Sequence, residues 1–164
     1  AVRTYFERID PEISDWDKTS KLLKTATRFE IASLHFHAAR SADTLELRIS
    51  EYCAGFEALL STSTSELAHQ LSERLALVVT SKKPERVSVY RRAKHMYTIR
   101  SRVVHGSYVG NKDVAQLVSL SRDADTWARL LTRRYLSDGE LRTLIDNTNN
   151  QVIDEYFLAK LLEQ

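Results

Sequence analysis

Arg100 and His105 stand in the stretch IRSRVVHG, residues 99–106, with four residues between them. An arginine and a histidine so placed could hold a phosphodiester: the imidazole moves a proton near neutral pH, and the guanidinium meets the charge that develops on phosphorus. The spacing alone is a weak signal. With sixteen arginines and five histidines in 164 residues, chance supplies about 1.5 pairs in which four to six residues separate an arginine from a following histidine, and Arg28 with His35 is a second one. Geometry adds an objection, because five steps along an ideal helix leave Arg100 and His105 about 140° apart, while Ser101 and His105 share a face. Convergence requires the helix to end at His105, as Gly106 suggests, or a second copy of the stretch to approach from a partner subunit. A histidine at a helix C-terminus, stabilised by the helix dipole, is the competing reading.

The elements that must position this stretch read as helices throughout. Apolar residues recur at three- and four-residue steps through KLLKTATRFEIASLHFHAA (Leu22, Leu23, Ala26, Phe29, Ile31, Leu34, Phe36), which predicts one long amphipathic helix from Asp17. Ser41, Asp43 and Thr44 can cap a second, DTLELRISEYCAGFEALL, with Leu45, Ile49, Tyr52, Cys53, Phe56, Leu59 and Leu60 as its stripe. Thr64 or Ser65 can cap a third, ELAHQLSERLALVV, marked by Leu67, Leu71, Leu75 and Val78 and broken by residues 81–84. A fourth starts near Glu85, turns Val89, Ala93, Met96, Ile99 and Val103 inward and ends at Gly106. DVAQLVSLSRDADTWARLLTRRYL, DGELRTLID and QVIDEYFLAKLLE predict a fifth, sixth and seventh.

Composition agrees with an all-α fold. A chain that is 43% hydrophobic, with four glycines and two prolines, is too apolar for disorder and too poor in turn residues for a many-stranded β protein. Its length suits one domain: an N-terminal arm over 1–16, a core bundle over 17–137 and C-terminal helices over 138–164. The net charge of +2 is too small for the whole molecule to act as a polycation. Locally the balance differs, because residues 82–102 carry eight basic side chains against Glu85 alone. A basic face beside IRSRVVHG is therefore expected.

Other chemistries find less support. His35 and His37 point to different sides of a helix, and no third ligand is suitably placed for zinc, so no metal site is expected. His69 and His95 read as surface or partly packed residues, Trp16 and Trp127 as core anchors, and Cys53 as core rather than nucleophile. ELAHQLSERLALVV lacks the turn glycine and basic recognition helix of a helix-turn-helix. No glycine-rich phosphate loop and no GxSxG elbow is present. One cysteine, no apolar run of about 20 residues and no signal-peptide core together predict a cytoplasmic protein without membrane contact. The start at Ala1 also fits a piece of a longer parent protein.

Taken together and in order, FEALLS (56–61), ELAHQLSERLALVV (66–79) and MYTIRSRVVHG (96–106) resemble the Apea-like branch of the HEPN superfamily, over roughly residues 29–135. The resemblance implies an antiparallel helical bundle that pairs into a homodimer, with two Arg-to-His segments facing across a cleft. It also implies a metal-independent endoribonuclease needing no cofactor, in which the 2′-hydroxyl of RNA attacks the adjacent phosphate, as in toxin-antitoxin or phage-defence effectors. His105 would be the general acid or base, and Arg100 would orient the phosphate. Ser101 holds the polar position after the arginine, where asparagine, aspartate or histidine is more usual. Glu57 could orient Arg100 or Arg102, or form a plain structural ion pair. Arg102 and Tyr97 could contact RNA, or be a solvated arginine and a packed tyrosine; Arg91, Arg92 and Lys94 would line the basic approach. The alternative is a non-catalytic HEPN module that binds RNA, a nucleotide or a partner protein such as an antitoxin.

Overall fold

The fold is set by where helices begin and by which side chains close their ends. The structure, a computed structural model, describes residues 25–63, 65–106 and 111–163, with the side chains of 111–115 excepted. The arm expected over 1–16, Trp16, Leu22, Leu23 and the candidate cap Thr64 lie outside the described residues. Among the described residues there are seven helices and no strand: α1 (Arg28–Ser41), α2 (Leu45–Leu60), α3 (Leu67–Val79), α4 (Lys83–Val104), α5 (Asn111–Ser137), α6 (Gly139–Ile145) and α7 (Asn150–Leu162). None is long and apolar enough to cross a membrane.

α1 begins at Arg28, so the single helix expected from Asp17 does not run unbroken through Thr27. The reason is local: the Thr27 side chain accepts the Glu30 backbone N–H, and the Glu30 carboxylate accepts the Thr27 N–H at 2.7 Å. This reciprocal pairing satisfies two donors that a continuing helix would have used otherwise. Leu34, expected in the apolar stripe, is instead exposed, while Ala32, Phe36 and Ala39 are buried. α2 starts as expected at its Thr44 cap. α3 differs from expectation at its start, where Ser65 is not the cap. Glu66 takes the N-cap with φ 53°, a left-handed conformation, and offers no side-chain bond. Pro84 sits in the first turn of α4, where its missing N–H costs nothing, so that helix starts at Lys83 rather than Glu85.

α1 packs along α2, α2 also contacts α4 and α5, α3 lies on α4, and α7 rests on α3 with α6 between it and α5. Gly55 permits the close approach of α1 to α2, since a Cβ there would run into the Phe36 ring and meet the Ala32 carbonyl at 3.2 Å. Phe36, Tyr52 and Phe56 form the aromatic centre, with Phe36 and Phe56 edge to face at 5.3 Å. Phe29 of α1 stacks on Tyr135 of α5 at 3.7 Å.

The C-terminal end of α2 is closed by arginines from its neighbours. Arg28 donates to Ser61 O at 2.7 Å and Ala58 O at 3.3 Å, and Arg74 donates to Leu60 O at 2.7 Å. These carbonyls would otherwise be left without helical partners. Arg74 is 5% exposed, pairs with Asp154 of α7 and lies over the Phe157 ring at 4.8 Å.

Candidate functional site

IRSRVVHG forms the last turns of α4. Met96 and Ile99 point into the core and fix the helix's rotation, which turns Tyr97 and Arg100 toward its half-buried flank. α4 ends at His105, whose N–H bonds Ser101 O at 3.1 Å, and Gly106 follows with φ 65°. Only a residue without Cβ takes that left-handed turn cheaply, so the glycine sets where the helix stops.

Arg100 reaches across to α2, where its Nη2 lies 2.9 Å from Glu57 Oε2, and its guanidinium sits 5.6 Å from the Tyr97 ring centroid. The structure therefore brings Arg100, Glu57 and Tyr97 together. His105 stands exposed at the end of α4, and no contact among the described residues joins its ring to Arg100. Ser101 is half-buried between them in sequence, with its carbonyl spent on the helix end. Arg102 is half-buried and engaged by another group.

Glu57 is the electrostatic oddity of the group. Its Oε1 is buried without a hydrogen-bond partner, and burial raises its carboxyl above the usual value of 4.5 despite the opposing charges of Arg100 and His35. Burial, followed by the neighbouring Glu57 charge, also raises the Tyr97 phenol. A folded-state value above the unfolded one means that the native protein holds more protons. Glu57 therefore contributes stability below pH 4.5 that is lost as the pH rises through its raised value. Glu57→Gln should flatten that part of the stability-pH profile, as measured by urea unfolding between about pH 4 and pH 7; an unchanged slope would contradict the burial of this carboxylate.

The basic window is partly neutralised by one distant and one local carboxylate. Arg92 pairs with Asp123 of α5 and bonds Ser119 Oγ at 3.3 Å, and Lys82 pairs with Glu85 at 3.0 Å. Arg91 and Lys94 are exposed, with Lys94 Nζ 5.9 Å from the Tyr90 ring centroid. Lys94 and Tyr97 line an open groove with Glu66, Leu67, Ala68 and His69 of the α3 start, so the approach to Tyr97 has a cation beside it. The most voluminous depression described lies elsewhere, between the end of α5, α6 and α7, and contains none of these residues.

The second Arg-to-His pair is structural: Arg28 closes α2, and His35 Nδ1 lies 2.8 Å from Glu51 Oε2. Cys53 is buried, with its thiol pushed up to about 12 by burial, which suits core rather than nucleophile. Arg74 was not readable as important, because a lone arginine within a leucine-marked helix carries no signal of its burial.

Fold and site thus define an all-helical protein in which one helix carries a carboxylate-held arginine and, five residues on at its glycine-stopped end, an exposed histidine. The chain matches no protein-family model, no curated protein and no solved structure.

Proposed function

We propose that this protein is a metal-independent endoribonuclease of the Apea-like HEPN kind, an antiparallel bundle acting as a homodimer. The observation that carries the reading is the ion pair between Arg100 and Glu57. It joins two of the three sequence segments on which the resemblance rests, FEALLS on α2 and MYTIRSRVVHG on α4, while the third, on α3, packs against both helices. A carboxylate that fixes a guanidinium while leaving it 25% exposed holds a phosphate-binding group in one orientation.

In the proposed reaction a base removes the proton of the RNA 2′-hydroxyl and O2′ attacks phosphorus. The bond from phosphorus to O5′ breaks, and O5′ takes a proton from an acid. His105 serves one of these proton transfers and Arg100 meets the phosphorane charge. Since Arg100 is committed to Glu57 and no hydrogen bond or ion pair among the described residues joins it to the His105 ring, the site is completed across a two-fold axis. The exposure of Val104, 61%, beside His105 supports a partner surface there. An effector role in toxin-antitoxin or phage defence, in the cytoplasm and under an antitoxin's restraint, belongs to the same reading.

Incubated with single-stranded RNA in EDTA, the purified protein should yield fragments ending in 2′,3′-cyclic phosphate and 5′-hydroxyl, with 2′-O-methyl RNA left whole. Cutting of the 2′-O-methyl strand, or a monomer by light scattering under cutting conditions, would refute the mechanism. One observation favours the alternative of a non-catalytic module that binds RNA, a nucleotide or a partner: Arg100 is already neutralised by Glu57. RNA bound and never cut at high protein concentration would be its signature.

A further inference from the structure

Four arginines converge at a place remote in sequence from IRSRVVHG. Arg40 ends α1, Arg48 lies on α2, and Arg122 and Arg129 lie on α5; together they line a depression of about 470 Å³ whose only carboxylate is Asp125. Asp125 is already saturated: Oδ1 accepts Arg40 Nε at 3.0 Å and the Tyr52 hydroxyl at 2.7 Å, and Oδ2 accepts Arg129 Nε at 2.6 Å. Burial works against its ionisation, yet these three hydrogen bonds outweigh it and hold the carboxyl below its usual range. Asp125 therefore stays charged and acts as a fixed brace.

The brace uses the Nε hydrogens of Arg40 and Arg129 and none of their terminal nitrogens among the described residues. Arg48 is held separately, by Nε to Ala39 O at 3.1 Å and Nη2 to Ala42 O at 3.4 Å. Arg122 is exposed and forms no ion pair with any described residue. Three helices thus line one depression with four arginines and a single carboxylate, which pairs with two of them, Arg40 and Arg129. Like charges sharing one depression repel, and planar guanidinium forks match the oxygens of carboxylate and phosphate groups, of which phosphate brings the greater charge. A single carboxylate ligand would leave most of the excess charge unanswered, whereas a group with two or more negative charges would not.

We propose that the depression between α1, α2 and α5 binds a phosphate-bearing anion, supplied either by a nucleic-acid backbone or by a free polyphosphate. The site is separate from Arg100 and His105 and does not depend on the ribonuclease reading.

Titration calorimetry with inorganic pyrophosphate at low salt tests it. Wild-type protein should bind, Arg122→Ala and Arg129→Ala should each weaken binding about tenfold, and the double variant should lose it. Both side chains are exposed; Arg122→Ala should keep the wild-type melting temperature, and Arg129→Ala, which also removes a hydrogen bond to Asp125, should lower it only slightly, so the loss of binding is read on folded protein. Lysine at the same positions should restore binding only in part, because charge returns without the fork. Displacement of pyrophosphate by a single-stranded RNA oligonucleotide identifies the backbone as the source, and failure to displace it identifies a free polyphosphate. No pyrophosphate binding by the wild type, or equal affinity in the double variant, overturns the proposal. His105→Ala should bind pyrophosphate as the wild type does, so loss of one site and loss of the other are distinguishable.

Discussion

His105→Ala should lower cleavage of single-stranded RNA by about 100- to 10,000-fold in EDTA without moving the melting temperature, and Arg100→Ala should lower it by a similar factor. The first half of that expectation is the cleaner. His105 is exposed and its backbone, not its ring, completes the helix end, so removing the imidazole removes chemistry and leaves the fold. Arg100 differs, because its loss strands the Glu57 carboxylate, whose Oε1 already lacks a partner. Arg100→Ala should therefore cost stability as well as rate, by an amount limited by the partial exposure of the pair. Arg100→Lys separates the two effects: it returns a charge to Glu57 and restores stability, yet a point charge cannot grip phosphate with two parallel bonds, so cutting stays low. Undiminished cutting by both alanine variants would end the ribonuclease reading.

Phe56→Ala should destabilise the protein by about 3–5 kcal/mol, read as a large fall in the urea midpoint. Phe56 is 1% exposed and packs edge to face on Phe36, where Gly55 has already brought α1 as close to α2 as a backbone allows. The neighbouring helices have no slack with which to fill the void. Against a total stability of about 5–15 kcal/mol this is a severe loss, and it falls next to Glu57, so cutting should fail with the fold. Phe56→Leu, which keeps most of the volume, should cost about 1 kcal/mol. A loss below that in the alanine variant would show that α1 and α2 collapse onto the gap.

The helix types and most of the core were legible because they depend on local pattern. The stripe from Ile49 to Leu60 is buried as its spacing demanded, Thr44 caps α2, and Gly106 ends α4 at His105. What local pattern could not show were partners far along the chain. Arg92 reads as a free cation among its neighbours, yet Asp123 claims it. The Arg40–Asp125 cluster joins the neighbouring α1 and α2 to α5, 85 residues further on, so no window of sequence contains it. Competing local signals misled in two places. The apolar period continues through Thr27, but the threonine and Glu30 cap there; Thr64 and Ser65 look like caps, but the chain reaches α3 through a left-handed Glu66. For the site, the carboxylate and the guanidinium were legible as partners only through their shared resemblance, since nothing in either segment alone specifies the other.

The guanidinium of Arg74, enclosed by Leu60, Thr62, Phe157 and Asp154, redraws the boundary of the smallest piece that can fold. The stretch after residue 137 had the look of an appendage to a finished bundle. Yet a chain trimmed ahead of α7 would keep a cation in its interior with the counter-charge cut away and its aromatic cover gone. Anyone wishing to shorten this protein, to fuse another domain to it or to split it for complementation should treat α7 as a structural keystone. It locks the α2–α3 corner from the far end of the sequence, and the cut belongs beyond it.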